Sequence, residues 1–561
     1  MQSGTQPSRW ALHPRLRRAL LGGAGPARLA HFLAPVYFVG FATFLFLFHL
    51  HNHPMWTDAW RLHELSQTIF GAFYRSNIVA TFQSDNVGWQ SADFPPLWPV
   101  VLSITDKLLH TGLNSGFVAG FLCLALFMSI SEAIARELTG VRWVGLAVVG
   151  ILIASWWFQT ELLAGQTMPM QLLLMSLILY VLLDARPLSA SRSFCVGALC
   201  GVAFLNRFDA LLFGIGMVFA CGWAAKSWRA GAMAVLGLGL AMSPWIVYSL
   251  TYFNTPLASD NKAIALAAVV THTTEWYAAP LPTVFDQPLT WLLKLVRYGG
   301  RLSVGLVQSF LGVAALPVVF LAGLAVRAST SNRREGQSSD PRQMFARVAS
   351  LGPQGLRFGL FGIALWLSLC AQLLTGYGYQ ARYFAPHVWW VGLGAMMLGL
   401  RIIARSEEER RAATALFLAL AMVATAVTWL AERRGLEQSW SPGSSGRMTA
   451  NADYNAVAEC VRRNGGRRIL ALDNEHAVRL AVLTAIPSVA APTNFGRLSA
   501  AEIGLFMAKY KIDFVVAFTP EQEQAFVTRW PAQRLASCTP IALDVRRRQA
   551  QHGLGLAETS S

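Results

Sequence analysis

Residues 32–50 read FLAPVYFVGFATFLFLFHL, without one charged side chain. A run of that length matches the roughly 20 residues a helix needs to cross about 30 Å of hydrocarbon. It is followed at once by HNHPMWTDAWRLHELSQTIFGAFYR (51–75), which is polar and aromatic, so the apolar run ends at a water boundary. Working outward, the runs 230–253, 303–326, 383–400 and 412–430 repeat the pattern. The 561 residues are 54% hydrophobic and 14% charged, against about 25% charged in soluble domains, which excludes an ordinary cytosolic enzyme.

A net charge of +16 would suit a nucleic-acid binder if it were gathered on one surface. Instead the basic residues fall at alternate loops, so no nucleic-acid partner is expected. Arg9, Arg15, Arg17, Arg18 and Arg28 precede the first run; Arg136/Arg142, Arg186/Arg192, Lys226/Arg229, Arg327 to Arg357 and Arg401 to Arg411 follow. The positive-inside rule makes all six segments cytoplasmic. Threading the chain through them gives an α-helical polytopic membrane protein with about eleven spans. These are 32–50, 116–135, 143–160, 167–183, 193–207, 209–225, 230–252, 303–326, 357–375, 384–402 and 412–430. The N-terminal segment 1–31 is then inside and everything after 431 outside. Segment 95–110 is apolar, but as a span it would expel Arg136, Glu137 and Arg142, so it reads as a helix on the outer surface. The first run is long and lacks a small-residue cleavage site, so it is expected to stay as a span.

On this threading the transmembrane region is 32–430, with outer loops 51–115 and 254–302. A Ser/Gly/Pro linker lies at 431–446, and a small C-terminal α/β unit at 447–548 precedes a disordered tail at 549–561. In that unit 452–463, 475–484 and 499–510 read as helices, and RRILALD and DFVVAF as strands. It lacks a Gly-rich nucleotide loop and reads as accessory; Asp473-Asn474-Glu475 serves equally as a helix cap or a site. Cys460 and Cys538 lie in this exported part, where a disulfide is permitted, while the other five cysteines sit in apolar helices.

The polar side chains gather on the outer side. Asp58 follows the first span beside Trp56 and Trp60, where partial desolvation suits a general base; it reads equally as a helix cap paired with Arg61. The same loop carries Arg75 and closes with SADFPPLWPVV (91–101), which contains Asp93. Glu161 and Gln166 follow at the next outer turn. Arg207 and Asp209 interrupt an apolar stretch and serve either a site or a structural pair capping a turn. NTPLASDNK ends at Lys262, and Arg382, Tyr383 and Pro386 form a further cluster. Lys262, Arg382 and Tyr383 also suit anchoring at lipid headgroups. His49, His51 and His53 are metal-type donors, but successive ones stand about 200° apart on a helix, so convergence needs an extended chain. A divalent metal is the one cofactor the donor types leave open.

This set, in this order, resembles the GT-C superfamily of polyprenyl-phosphate-sugar glycosyltransferases, which includes protein O-mannosyltransferases, lipid A aminoarabinose transferases and arabinofuranosyltransferases. The resemblance is carried by Asp58 after the first span, Pro95-Pro96-Leu97 closing the loop, Arg207-x-Asp209, the Pro/Asn-rich segment ending in Lys262, and Arg382-Tyr383-x-x-Pro386. Two positions depart from the pattern. Asp58 stands alone between Thr57 and Ala59 where many relatives have paired acids, and the second outer turn offers Glu161 and then Gln166. The resemblance implies transfer of a sugar from a polyprenyl-phosphate donor to a lipid, glycan or protein acceptor at the outer face of an inner membrane. It makes Asp58 and Glu161 the catalytic acids. Lys262, Arg382, Arg61, Arg75 and Arg207 would hold the donor phosphate, and Asp93, Gln166, Asp209 and Tyr383 would line the cavity.

Two other classes fit a many-span chain. A transporter or lipid flippase places ionisable groups near mid-membrane on broken helices, whereas these spans are nearly free of charge. A polysaccharide polymerase or ligase invests in one large late outer loop, whereas here the early loop is the elaborate one.

Overall fold

Short gaps and isolated residues aside, the computed structural model describes residues 57–80, 90–258, 352–375, 384–400, 407–423, 454–491, 498–534 and 541–544. The expected spans 32–50 and 303–326, the three histidines, Asp93, Lys262, Arg382 and Tyr383 lie outside them.

The helical part begins with α1 (Thr57–Thr68), a short strand β1 (Ile78–Ala80) and α2 (Leu97–Leu109). A bundle follows: α3 (Ser115–Thr139), α4 (Val144–Ala154), α5 (Met168–Leu183), α6 (Ala190–Asn206), α7 (Ala210–Ala225), α8 (Trp228–Phe253), α9 (Gly352–Thr375) and α10 (Ala385–Leu398). Among the described residues, two helices are long and apolar enough to cross a membrane, Gly112–Thr139 with its leading turn and Trp228–Phe253. The segment read as a surface helix at 95–110 is α2.

Local chemistry sets the helix ends. The pyrrolidine rings of Pro95 and Pro96 lead into α2, Gly140 closes α3 in the left-handed conformation (φ 76°), and the Ser189 hydroxyl caps α6 by accepting the Arg192 N–H. Small residues set the packing. A Cβ at Gly197 of α6 would run into the Ala234 carbonyl of α8, and one at Gly237 into the Phe194 carbonyl, so these two backbones lie in direct contact.

The bundle has two chemically distinct ends. At one, Arg357 of α9 is buried and donates to the carbonyls of Leu182, Asp184 and Arg186, capping α5. Gln354 donates to Glu137 of α3 over 3.0 Å. The Glu132 carboxylate accepts the Trp143 N–H (2.7 Å) and the Gly145 N–H (3.1 Å), which caps α4. Three segments that sequence reading made cytoplasmic therefore meet here. The opposite end of α5, at Thr167, belongs to the candidate site.

The remaining elements alternate helix and strand: α11 (Tyr454–Arg463), β2 (Ile469–Ala471), α12 (Asn474–Thr484), β3 (Ser488–Ala490), α13 (Ala500–Lys509), β4 (Phe514–Ala517), α14 (Pro520–Val527), β5 (Gln533–Arg534) and β6 (Ile541–Asp544). The sheet order is β1-β3-β2-β4-β6-β5. The first four strands are parallel, β6 runs antiparallel to β4, and β5 runs antiparallel to β6. Strands β2, β3 and β4 are buried throughout, as parallel strands covered on both faces must be. Cys460 is disulfide-bonded.

Strand β1 comes from the first loop, not from the C-terminal segment. It pairs with β3 in the register Ile78↔Ser488 and Ala80↔Ala490. Trp60 of α1 also packs against Val478 and Ala481 of α12. The first loop and the C-terminal unit thus share a sheet and a helix contact.

Candidate functional site

Helix α1 carries Asp58, Arg61 and Glu64 at three-residue steps, which places them along one face. Asp58 is half-buried in the first turn, and Arg61 is buried. The Arg61 guanidinium lies 5.7 Å from the centre of the Phe94 ring, a cation–π contact that brings the start of the loop to its end. Phe94 immediately precedes Pro95-Pro96-Leu97.

Tyr74 locks this closure. Its hydroxyl donates to the Phe94 carbonyl (2.7 Å) and lies 3.2 Å from the Pro95 carbonyl. The Ser91 N–H donates to the Tyr74 carbonyl, and Arg75 bridges to Gln90. Complete burial pushes the Tyr74 phenol well above its ordinary range, with Tyr248 adding to the shift and Arg61 opposing it. The phenol stays neutral and acts as a donor.

From Tyr74 an aromatic path leads into the bundle. Its ring stands edge-on to Trp245 (6.3 Å) and Tyr248 (5.9 Å) of α8, and Tyr248 donates to the Ser91 carbonyl (3.0 Å). Trp245 meets Phe208 at 5.2 Å. Phe208 lies between Arg207 and Asp209, which form a two-pronged ion pair: Nε to Oδ1 at 3.1 Å and Nη2 to Oδ2 at 3.2 Å. Arg207 Nη1 also reaches the Thr167 hydroxyl at 3.3 Å.

Thr167 ends the turn that begins at Glu161. Glu161 and Gln166 are both buried, and the Gln166 N–H donates to the Glu161 carbonyl. Asn206 braces the turn through the Thr167 carbonyl (3.2 Å) and Gln171 (3.0 Å). The Trp98 indole donates to Gly165 at 2.9 Å.

Arg61, Gln166, Arg207, Asp209 and Glu161 therefore belong to one connected end of the bundle, with Asp58 on the same helix as Arg61. Arg75 stands apart: it is exposed and near Arg468 of the C-terminal unit, whose pKa is lowered by burial and by the Arg75 charge against the pull of Asp513. Pro386 lies in the first turn of α10, whose His387 ring contacts the Leu365 carbonyl at 2.9 Å. Among the described residues no three His, Cys, Asp or Glu side chains are grouped to hold a metal ion.

Sequence reading missed Glu64, Tyr74, Thr167 and the Trp245/Tyr248 pair. One further three-residue step beyond Asp58 and Arg61 would have found Glu64. The aromatic contacts carry no local signal.

The fold has a counterpart among solved structures. It is shared with ArnT from Cupriavidus metallidurans bound to undecaprenyl phosphate, at TM-score 0.52 and 14% identity, over 91% of this chain and 97% of that one. An Archaeoglobus fulgidus oligosaccharyltransferase tethered with an acceptor peptide aligns at TM-score 0.49 and 12% identity, over 85% of this chain and 67% of that one. No protein-family profile and no curated protein sequence matches the chain.

Proposed function

We propose that this chain is a membrane glycosyltransferase that moves a sugar from a polyprenyl-phosphate-linked donor to a lipid, glycan or protein acceptor at the periplasmic face of an inner membrane. The observation that carries the reading is the closure of loop 51–115 through Arg61, Phe94 and Tyr74 onto the Glu161–Thr167 turn and the Arg207–Asp209 pair. It occurs in a fold shared end to end with a protein that binds undecaprenyl phosphate.

In this reading Asp58 takes the proton from an acceptor hydroxyl as its oxygen attacks the anomeric carbon. The bond from that carbon to the phosphate oxygen breaks, and polyprenyl phosphate leaves with the electron pair. The phosphate is already a good leaving group, so cations rather than a strong acid complete the step. Arg61 and Arg207, with Lys262 and Arg382, supply that charge. One displacement gives inversion. Glu161 is the second catalytic carboxylate, Gln166 and Asp209, with Asp93 and Tyr383, line the cavity, and a divalent metal is the one cofactor the donor types leave open.

About eleven spans, a cytoplasmic N-terminus and a periplasmic C-terminal unit belong to the same proposal. Support comes from the gathering of basic turns at the end of α5 opposite Thr167, from β1 joining the C-terminal sheet, and from the Cys460 disulfide, which suits an oxidising compartment. A transporter reading is less well supported, because the described ionisable groups of the site lie at a bundle end rather than at its middle.

The test supplies purified protein in lipid with labelled polyprenyl-phosphate sugars and compares wild type with Asp58→Asn. Transfer that survives the substitution removes Asp58 from the mechanism, and no transfer from any donor sinks the transferase reading. Reporter tags after residues 30, 340 and 450 should read inside, inside and outside.

A further inference from the structure

Glu64 is 2% exposed and belongs to none of the groups assigned to the reaction. Its carboxylate has two partners on the segment leading into β1: the Ser76 hydroxyl donates to Oε2 at 2.8 Å, and the Asn77 backbone N–H donates to Oε1. The carbonyl of the same Asn77 accepts the Ser488 N–H at 2.8 Å, where β3 begins. Asn77 therefore faces helix α1 through its N–H and the C-terminal sheet through its C=O. Beside this relay, Trp60 seats α1 on Val478 and Ala481 of α12.

A buried carboxylate is costly unless its oxygens are satisfied, and here the satisfying groups come from the strand that the loop lends to the sheet. If β1 left β3, Ser76 and Asn77 would leave with it and Glu64 would lose its donors. Arg61, one turn before Glu64 on the same face, interacts with it electrostatically. The position of Arg61 over Phe94 is thus coupled to strand pairing at 78–80 and 488–490.

From this geometry we infer that Glu64 is a positioning residue: it latches the helix bearing Asp58 and Arg61 to the sheet of the C-terminal unit, so that this unit sets the donor-binding geometry of the first loop. The latch stands on the contacts above, whereas its effect on donor binding rests on the transferase reading.

The experiment uses the full chain in lipid nanodiscs and follows amide hydrogen exchange and, separately, transfer from a polyprenyl-phosphate sugar. Glu64→Ala should speed exchange about tenfold at 76–80 and 488–490 and in α1, leaving β2 and β4 unchanged. Glu64→Gln keeps an oxygen acceptor for Asn77 and should recover most of that protection. In the transfer assay Glu64→Ala should raise the KM for donor about tenfold while kcat moves less than about threefold, a split that general unfolding does not give. If Glu64→Ala does not fold, Ser76→Ala, which removes one donor only, carries the same comparison. Unchanged exchange at 488–490, or a loss spread evenly over the sheet, overturns the latch. A wild-type chain that transfers nothing overturns the transferase reading, and the exchange result still decides the latch.

Discussion

The indole N–H of Trp98 donates to the carbonyl oxygen of Gly165 over 2.9 Å, tying the helix behind Pro95-Pro96-Leu97 to the turn that carries Glu161 and Gln166. Trp98 is fully buried, so Trp98→Phe withdraws a donor from a buried acceptor. The expected cost is about 1–3 kcal/mol, read as a lower melting temperature in detergent. An unchanged melting temperature would show that the contact is incidental.

Gly165 itself has no room for a side chain. Its φ is +69°, and a Cβ there would stand 3.0 Å from the Gly116 Cα at the start of α3. Gly165→Ala should cost about 2–4 kcal/mol, adding left-handed strain to a forced backbone shift. Gly150→Ala, where nothing lies within 4 Å, serves as the control and should be neutral.

The Arg207 fork meets Asp209 with two nitrogens and Thr167 with a third, a geometry that an ammonium group cannot reproduce. Arg207→Lys should weaken donor binding as much as Asp209→Asn does, although it keeps the charge. A double-mutant cycle should give a coupling of at least about 1 kcal/mol; additive effects would show that the pair does not act as a unit.

The pH dependence differs between the first loop and the C-terminal unit. Burial, only partly offset by Asn77, Ser76 and Arg61, raises Glu64 from 4.5 to about 7. The folded state therefore binds this proton more tightly than the unfolded chain. The associated stability is fully present below pH 4.5 and is lost as pH rises through about 7. His476 shows the opposite sign: burial lowers its pKa below 6.5, against Asp473 and helped by Arg479, so its contribution is lost on acidification below 6.5. Amide protection at 76–77, corrected for intrinsic exchange, should fall between about pH 4.5 and 7, level off above that, and become flat throughout in Glu64→Gln. Protection around residue 476 should fall instead toward acid.

Hydropathy and loop charge made the helices legible because both are local. The segments read at 116–135, 167–183 and 230–252 match helices α3, α5 and α8 to within a few residues at their ends. Arg61, Gln166, Arg207 and Asp209 stand out as parts of short motifs, which are local, and the contacts that join them are not. What stayed hidden is nonlocal. Three residues, Ile78 to Ala80, are too few to announce a strand, and nothing near them in sequence says that their partner is Ser488 to Ala490. The C-terminal unit therefore read as accessory although its sheet takes in a strand of the first loop. Tyr74 was passed over for the same reason, because its importance comes from carbonyls twenty residues away.

That borrowed strand constrains how the protein is made. Ile78 is synthesised long before Ser488, with most of the helical bundle between them; until β3 emerges the edge of β1 has no partner, and until α12 emerges the Trp60 ring has no seat. The first loop therefore completes its fold only after the helical bundle has been made. A polypeptide stopped anywhere before α12 would display an open strand edge and a bare indole, the features that make an unfinished chain prone to mispairing and aggregation.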